Sequence, residues 1–178
     1  MHQNDPQLIQ MIQAGDRAAN TQLYERYESY WFRICLRYGR NRSEAQDIFQ
    51  EGAVRLFQVL DKFDLERGAF KSWSSKVIVN AALNYLKKHQ WQQSFEDLKM
   101  AEGKIDGSEN TLEKLSAKEL IEVIQKLPSG YRVVFNMHEI EGYTHHEIAV
   151  AMNITVGTSK SQLSKAKKML RQKLSLLF

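Results

Sequence analysis

Residues 70–89 read FKSWSSKVIVNAALNYLKKH. The stretch has helix length, contains neither proline nor glycine, and divides into two faces when wound at about 100° per residue. Ile78, Ala81, Ala82, Tyr85 and Leu86 share one arc, an ordinary core stripe. Trp73, Lys76, Asn80, Asn84 and Lys87 share the opposite arc. A face made only for solubility mixes acids with bases. This one has no acid, and combines a large flat aromatic, two amides and ammonium groups. Such groups can hold a phosphate backbone, stack on a base and hydrogen-bond its edge. On periodicity alone two readings stay open: a nucleic-acid face, or an indole packed on a neighbouring element beside solvated lysines.

Outward from this helix the pattern is helical throughout. Toward the N-terminus, Asp5-Pro6 reads as a helix start, a capping carboxylate followed by proline at the first helical position. Asp16 caps a second helix through Leu23, Tyr24, Tyr27, Trp31, Ile34 and Cys35, which ends near Gly39. Ser43 with Gln46 forms a capping box for a helix over 44–60. That helix buries Ala45, Ile48, Phe49, Ala53, Leu56, Phe57 and Leu60, and presents Asp47, Gln50, Glu51, Val54, Arg55 and Gln58 on its other face. The polar loop DKFDLERGA, 61–69, carries Phe63 without an obvious core partner; an aromatic there is either tucked under or used for contact.

Toward the C-terminus, residues 91–116 are rich in Gln, Ser, Glu, Asp and Gly and read as a flexible acidic linker. Leu120, Ile121 and Ile124 mark a further helix, Pro128 breaks it, and Val133, Val134, Met137 and Ile140 mark the next, ended by Gly142. Thr144 and Glu147 make a capping box for a short helix with Ile148, Ala149 and Met152 inside. The turn Asn153-Ile154-Thr155 leads to a long last helix with Val156, Leu163, Ala166, Leu170, Leu174 and Leu177 as its core stripe. Thr158, Ser161, Gln162 and Lys165 point away from that stripe, flanked by Lys160 and Ser164. No β alternation and no internal repeat emerges. The expected fold is all-α, two small helical domains (1–90 and 117–178) joined by the linker.

Composition narrows the function classes. A hydrophobic fraction of 43% and a charged fraction of 26% are those of ordinary globular protein. No apolar run approaches the roughly 20 residues that cross a bilayer, and the N-terminus MHQNDPQLIQ lacks the layout of a secretion signal. A cytoplasmic protein is expected. Cys35 is the only cysteine, so there is no disulfide framework and no thiolate metal cluster; on an apolar helix side it reads as a buried structural thiol. The net charge of +4 is unevenly spread. From Val156 onward the chain has Lys160, Lys165, Lys167, Lys168, Arg171 and Lys173 and no acid, whereas acids dominate between Phe95 and Glu113. A basic tail suits an anionic partner, nucleic acid or a membrane surface alike.

No site for covalent chemistry emerges: no Gly-rich phosphate loop and no nucleophile–base pairing. His138, His145 and His146 lie near Glu139 and Glu147 but lack the spacing of the two-histidine zinc motif. No metal, cofactor or small-molecule substrate is expected. The short helix, three-residue turn and hydroxyl-, amide- and lysine-bearing second helix do form a helix-turn-helix unit, whose second helix can enter the major groove.

Taken in order, LYERYESYWFRICLRYGRNRSEAQDIFQEGAVRLFQVLDKFDLERGAFKSW, KVIVNAALNYLKK and LPSGYRVVFNMHEIEGYTHHEIAVAMNITVGTSKSQLSKAKKMLRQKL resemble the bacterial sigma factors of the extracytoplasmic-function (ECF) group. The resemblance is strongest in DIFQE, FKSW, GYTHHEIA and VGTSKSQLSKAKK, and fits the minimal form with only the second and fourth conserved regions. It implies a subunit that directs RNA polymerase core enzyme to promoters and is not itself an enzyme. It further implies an inhibitory anti-sigma partner in the free state. Carried over residue by residue, core-polymerase docking falls on Asp47, Gln50, Glu51, Arg55 and Gln58. Recognition and melting of the minus-ten element, with capture of the single-stranded non-template strand, falls on Phe63, Trp73, Lys76, Asn80, Asn84, Lys87 and Lys88. A base pocket is implied between Phe63 and Asn80. Reading of the duplex minus-thirty-five element falls on Gly157, Thr158, Lys160, Ser161, Gln162, Ser164 and Lys165.

The chain departs from the family pattern in two places. Ser74 and Ser75 stand where relatives carry larger apolar or aromatic residues, which implies a thinner melting surface. Gln162 replaces an Arg and Ser159 a Val, which implies altered base preference and fewer phosphate contacts. Two other functions compete: a helix-turn-helix regulator working without polymerase, and a helical adaptor whose basic tail meets a membrane or an acidic protein.

Overall fold

In the computed structural model, residues 4–89 and 117–175 are described, and they are helical with no strand among them. The linker read over 91–116, and Leu177 of the last core stripe, lie outside the described residues. Four helices form the N-terminal lobe: α1 (Asp5–Gln13), α2 (Arg17–Tyr38), α3 (Arg42–Val59) and α4 (Phe70–His89), with two 3₁₀ turns between the last two. The C-terminal lobe has α5 (Ala117–Gln125), α6 (Ser129–Phe135) running into a wide π turn (Asn136–Ile140), α7 (His145–Met152) and α8 (Val156–Ser175).

The helix starts shift from expectation where tertiary contacts compete for a cap. Asn4, not Asp5, caps α1: its Oδ1 accepts the Gln7 amide at 3.0 Å while the Gln7 side chain accepts the Asn4 amide at 3.1 Å. Asp5 is thereby left to pair with Arg26 at 2.8 Å and to accept a hydrogen bond from the Tyr27 hydroxyl. Asn41, not Ser43, caps α3, accepting the Glu44 amide at 2.9 Å. Glu44 folds back to accept the Arg40 amide at 2.6 Å, which explains a carboxylate that is buried. Asp16 caps α2 and the Thr144–Glu147 box caps α7 as the sequence implies.

Trp31 is the centre of the N-terminal core. It is fully buried, stacks on Tyr27 and meets Phe57 and Phe70 edge-on. Cys35 is buried beside it in the same core, and burial pushes its thiol up to about 12, so it is inert. Gly52 lets α3 and α4 approach closely: a Cβ there would lie 3.0 Å from Ile78 Cδ1.

The two lobes pack on each other. Val133, Val134, Met137, Ile148, Met152 and Leu163 belong to the same buried cluster as Trp31, Ile78 and Leu86, while Val123, Leu127, Tyr131, Ala166 and Leu170 form a second cluster inside the C-terminal lobe. At the seam stands Arg132, a buried cation in the otherwise apolar α6. Burial draws its guanidinium down to about 10, which leaves it charged at neutral pH. It is satisfied by carbonyls: Nε donates to Tyr38 at 2.9 Å, Nη1 to Gln125 at 3.1 Å and Leu127 at 2.9 Å.

Candidate polymerase-docking and nucleic-acid surfaces

Three surfaces can be built from the residues upward. On α3, every residue of the mixed polar face is exposed: Asp47, Gln50, Glu51, Arg55 and Gln58, with Val54 60% exposed among them. The Tyr85 hydroxyl donates to Asp47 at 3.2 Å, tying this face to α4. An exposed valine ringed by amides, acids and an arginine has the apolar centre and hydrogen-bonding rim that interfaces carry.

On α4, Lys76, Asn80, Asn84, Lys87 and Lys88 are exposed and form an acid-free strip along most of the helix. Trp73 lies at its base and is half-buried, one side of its indole against Phe63 (centroids 5.0 Å apart) and Phe70 (5.8 Å). Two placements differ from expectation. Phe63 is only 6% exposed and is tucked under the loop as a core residue, because three aromatic rings, Phe63, Phe70 and Trp73, close on one another there. Its backbone carbonyl is held by Gln13 Nε2 at 3.1 Å. A pocket between the Phe63 ring and the Asn80 amide is therefore not what this arrangement offers. Asn80 stands two turns up the helix from Trp73, about 10 Å along the axis. Ser74 and Ser75 are likewise buried and do not thin the strip. Ser74 Oγ accepts the Trp31 indole N–H at 3.1 Å, and Ser75 Oγ is bonded to the Tyr30 hydroxyl at 2.6 Å. They are the polar ends of an aromatic core.

On α8, Gly157, Lys160, Ser161, Ser164 and Lys165 are exposed, with Thr158 half-buried at the start. The αL turn residue Asn153 (φ 54°) and the Thr155 side chain, which accepts the Thr158 amide at 3.0 Å, set the angle at which α8 leaves α7. Gln162 is the exception. It is buried against Gly130 of α6, where an added Cβ would lie 3.3 Å from its amide, and its Oε1 has no hydrogen-bond partner among the described residues. The outer-face assignment of Gln162 is thus overturned: the close approach of α6 at Gly130 turns that side of α8 inward. Val156, assigned to the core stripe, is partly exposed at the helix start. Ser159 is buried and bonded to His145 Nδ1 at 2.9 Å.

His145 also stacks on His138 (centroids 4.4 Å apart). Desolvation, with the His138 and Lys160 charges, holds the His145 imidazole below its usual value. Glu139 is held below the usual carboxylate range by Lys167, which it meets at 2.9 Å, and by His138. Among the described residues no group of three His, Cys, Asp or Glu side chains could hold a metal ion. No helix of the described chain is long and apolar enough to cross a membrane.

Sequence reading missed four residues of the seam: Gln125, Arg132, Asn136 and Glu141. Arg132 carried no signal, because what buries it, the carbonyls of Tyr38, Gln125 and Leu127, is met only in the folded chain.

Two family models match the chain, Sigma-70 region 2 over residues 23–92 and Sigma-70 region 4 over residues 117–170, between them more than half of it. The chain is 26% identical over 97% of its length to the ECF RNA polymerase sigma-E factor of Haemophilus influenzae, covering 96% of that protein. It is 27% identical over 97% of its length to the ECF RNA polymerase sigma-E factor of Escherichia coli K12, covering 95% of it. It is 26% identical over 93% of its length to the RNA polymerase sigma-H factor of Pseudomonas aeruginosa, covering 91% of it. In fold it is similar to CnrH, solved in complex with the cytosolic domain of CnrY (TM-score 0.51, 20% identity, 97% of each chain). It is similar too to the sigma factor RpoE of Bartonella quintana, solved with the anti-sigma factor NepR (TM-score 0.52, 15% identity, 87% of this chain and 96% of that one). The protein therefore belongs to the sigma-70 family. Within that family it is a sigma factor of the ECF group, a transcription initiation factor.

Proposed function

We propose that the three surfaces divide the labour of initiation among them, with no covalent step carried by the chain itself. The α3 face, centred on Val54 and rimmed by Asp47, Gln50, Glu51, Arg55 and Gln58, docks on RNA polymerase core enzyme. The α4 strip captures the minus-ten element. Flipping a base out of the stack costs a few kcal/mol, and stacking on an aromatic returns about 1–3 kcal/mol per base. The open edge of Trp73 supplies the stack, Asn80 and Asn84 the base-edge bonds, and Lys76, Lys87 and Lys88 the phosphate contacts. On α8, Lys160, Ser161, Ser164 and Lys165 read the duplex minus-thirty-five element, with Gly157 and Thr158 at the close approach. Action in the cytoplasm, where the polymerase works, and restraint by an anti-sigma partner complete the reading.

The observation that carries it is the exposed, acid-free strip of α4 directly beside the mixed polar face of α3. A regulator that read DNA through α8 alone would have no use for either. Run-off transcription with core polymerase tests the reading: wild-type chain starts transcripts, and Asn80→Ala lowers promoter opening while duplex binding through α8 persists. Equal loss of both in a footprint would contradict the division.

A further inference from the structure

The helix-turn-helix holds a pair of titratable rings that none of the three surfaces uses. In the wide turn after α6 the Glu141 amide reaches back five residues to the Asn136 carbonyl at 3.0 Å, as π geometry requires. The turn carries His138 onto His145, the first residue of α7. The two imidazoles stack, with centroids 4.4 Å apart and planes 24° from parallel. Each is also tied at its Nδ1. His138 Nδ1 meets Glu139 Oε1 at 2.8 Å, and that carboxylate is shared with Lys167 of α8 at 2.9 Å. His145 Nδ1 meets the Ser159 hydroxyl of α8 at 2.9 Å, and Ser159 is fully buried. A hydroxyl donates to a neutral imidazole and accepts from a charged one, so this contact seats the ring in either protonation state. The next residue along α8 is Lys160, exposed and proposed above to meet phosphate.

The charges around His145 come from three elements. α8 supplies Lys160 and Lys167, the π turn supplies His138 and Glu139, and α7 itself supplies His146 and Glu147. Glu147 is taken up by its cap, 2.8 Å from both the amide and the hydroxyl of Thr144, and Lys76 of α4 also acts on it. Glu139 is divided between Lys167 and His138. Cations therefore outweigh the acid that faces the ring, and desolvation together with those cations holds the imidazole below its usual value. A duplex phosphate reverses the balance. Settling on Lys160, it offsets an ammonium that opposes the imidazolium and adds a negative charge nearby. Binding of duplex and binding of a proton then favour each other, and by the same factor.

We infer that His145 is a positioning residue for the reading helix that works through a proton: seated on Ser159 and stacked on His138, it takes one up as duplex settles on α8, and α8 holds DNA more tightly as pH falls. The inference rests on the proposed assignment of α8 to duplex DNA. It gives the Ser159 departure from the family pattern a use, since a valine there has no hydroxyl to seat an imidazole. A fall in pH around the chain would thereby favour promoter reading by this subunit.

The test uses the full chain, a labelled mixed-sequence 30-base-pair duplex and low salt, because exposed charges more than about 10 Å apart are screened at 0.1 M. Fluorescence anisotropy from pH 7.5 to 5.5 is expected to show affinity rising about tenfold, which one proton bound per complex gives over one pH unit. Loss of folding in acid would lower binding, so a rise cannot come from it. His145→Phe, which keeps a ring on the stack but takes no proton, is expected to flatten the profile. His146→Phe, at the exposed next residue, is expected to keep it, and Lys160→Ala to shrink it. In proton NMR the His145 ring is expected to titrate at higher pH with the duplex bound than without. A flat wild-type profile overturns the inference, as does one equally steep in His145→Phe. If His145→Phe loses its helical circular dichroism, the NMR titration decides, and a midpoint unmoved by duplex overturns the inference. Should the wild-type chain bind no duplex at any pH, the assignment of α8 itself fails, and the inference falls with it.

Discussion

The two helices proposed to meet DNA, each of twenty residues, have opposite settings. α4 is wedged between α2 and α3, and buries nine of its twenty residues, including Ser74 and Ser75. α8 packs along one side only, on α6, α7 and α5, and leaves Gly157, Lys160, Ser161, Ser164 and Lys165 outward. What reaches solvent from α4 is a narrow strip beside a rigid aromatic cluster. What reaches solvent from α8 is a protruding side. The difference suits the work proposed for each: a separated strand must be held by fixed shapes that repay unstacking, whereas a duplex groove must be entered by something that stands out.

That contrast can be broken experimentally, and the largest effect is expected where α4 is anchored. Trp31→Ala removes a fully buried indole from the centre of the N-terminal lobe and should cost about 3–5 kcal/mol in denaturant unfolding. A loss near zero would mean that the aromatic cluster does not hold the α4 strip. Ser74→Val should cost about 1–3 kcal/mol, because it strands the Trp31 N–H in the core, and promoter preference should stay as in wild type. A change of preference without loss of stability would return Ser74 to the DNA surface.

For α8 the expected effects are smaller and sharper. Lys160→Ala should reduce the steepness of the log–log salt dependence of duplex binding by about 0.9 if one phosphate contact is lost. Gln162→Leu should leave that slope and the base preference unchanged and alter only stability, since the side chain lies under α6. The smallest effect concerns pH. The folded state holds the His145 imidazole below its usual value of 6.5, so its contribution is present while the ring is neutral in both states. It is lost as pH falls below about 6.5 and through the lowered folded value. Thermal unfolding followed from pH 7.5 to 5.5 should show the decline, and His145→Asn should flatten it. Glu139 acts in the same direction at lower pH, since its carboxyl is depressed and loses its partner stabilisation on protonation.

Much of this was legible in the chain. The two faces of 70–89, the caps at Asp16 and Thr144, and the turn at Asn153 follow from helical periodicity and from groups that bond within three or four residues, which sequence spacing displays. The mixed polar face of α3 was legible for the same reason: Val54 breaks a polar arc and remains exposed. Misreadings cluster where a polar residue is buried by a partner distant in sequence. Ser74, Ser75, Ser159 and Gln162 all look like surface residues one by one; Trp31, Tyr30, His145 and the backbone at Gly130 are what turn them inward. Phe63 was ambiguous because its two ring neighbours lie seven and ten residues on, across a loop whose path the sequence does not specify.

By itself, then, the sequence determined an all-helical chain with an acid-free face on α4, a mixed polar face on α3 and a helix-turn-helix at its end, because each depends on which residues recur every three to four positions. Only the tertiary structure decided that Arg132, Gln125 and Asn136 cap the end of α2 from the other lobe, that the sides of α4 at Val79 and Leu83 are covered, and that Gln162 lies inside. Those facts depend on which carbonyl a donor meets across some ninety residues of chain, and periodicity carries no record of that pairing.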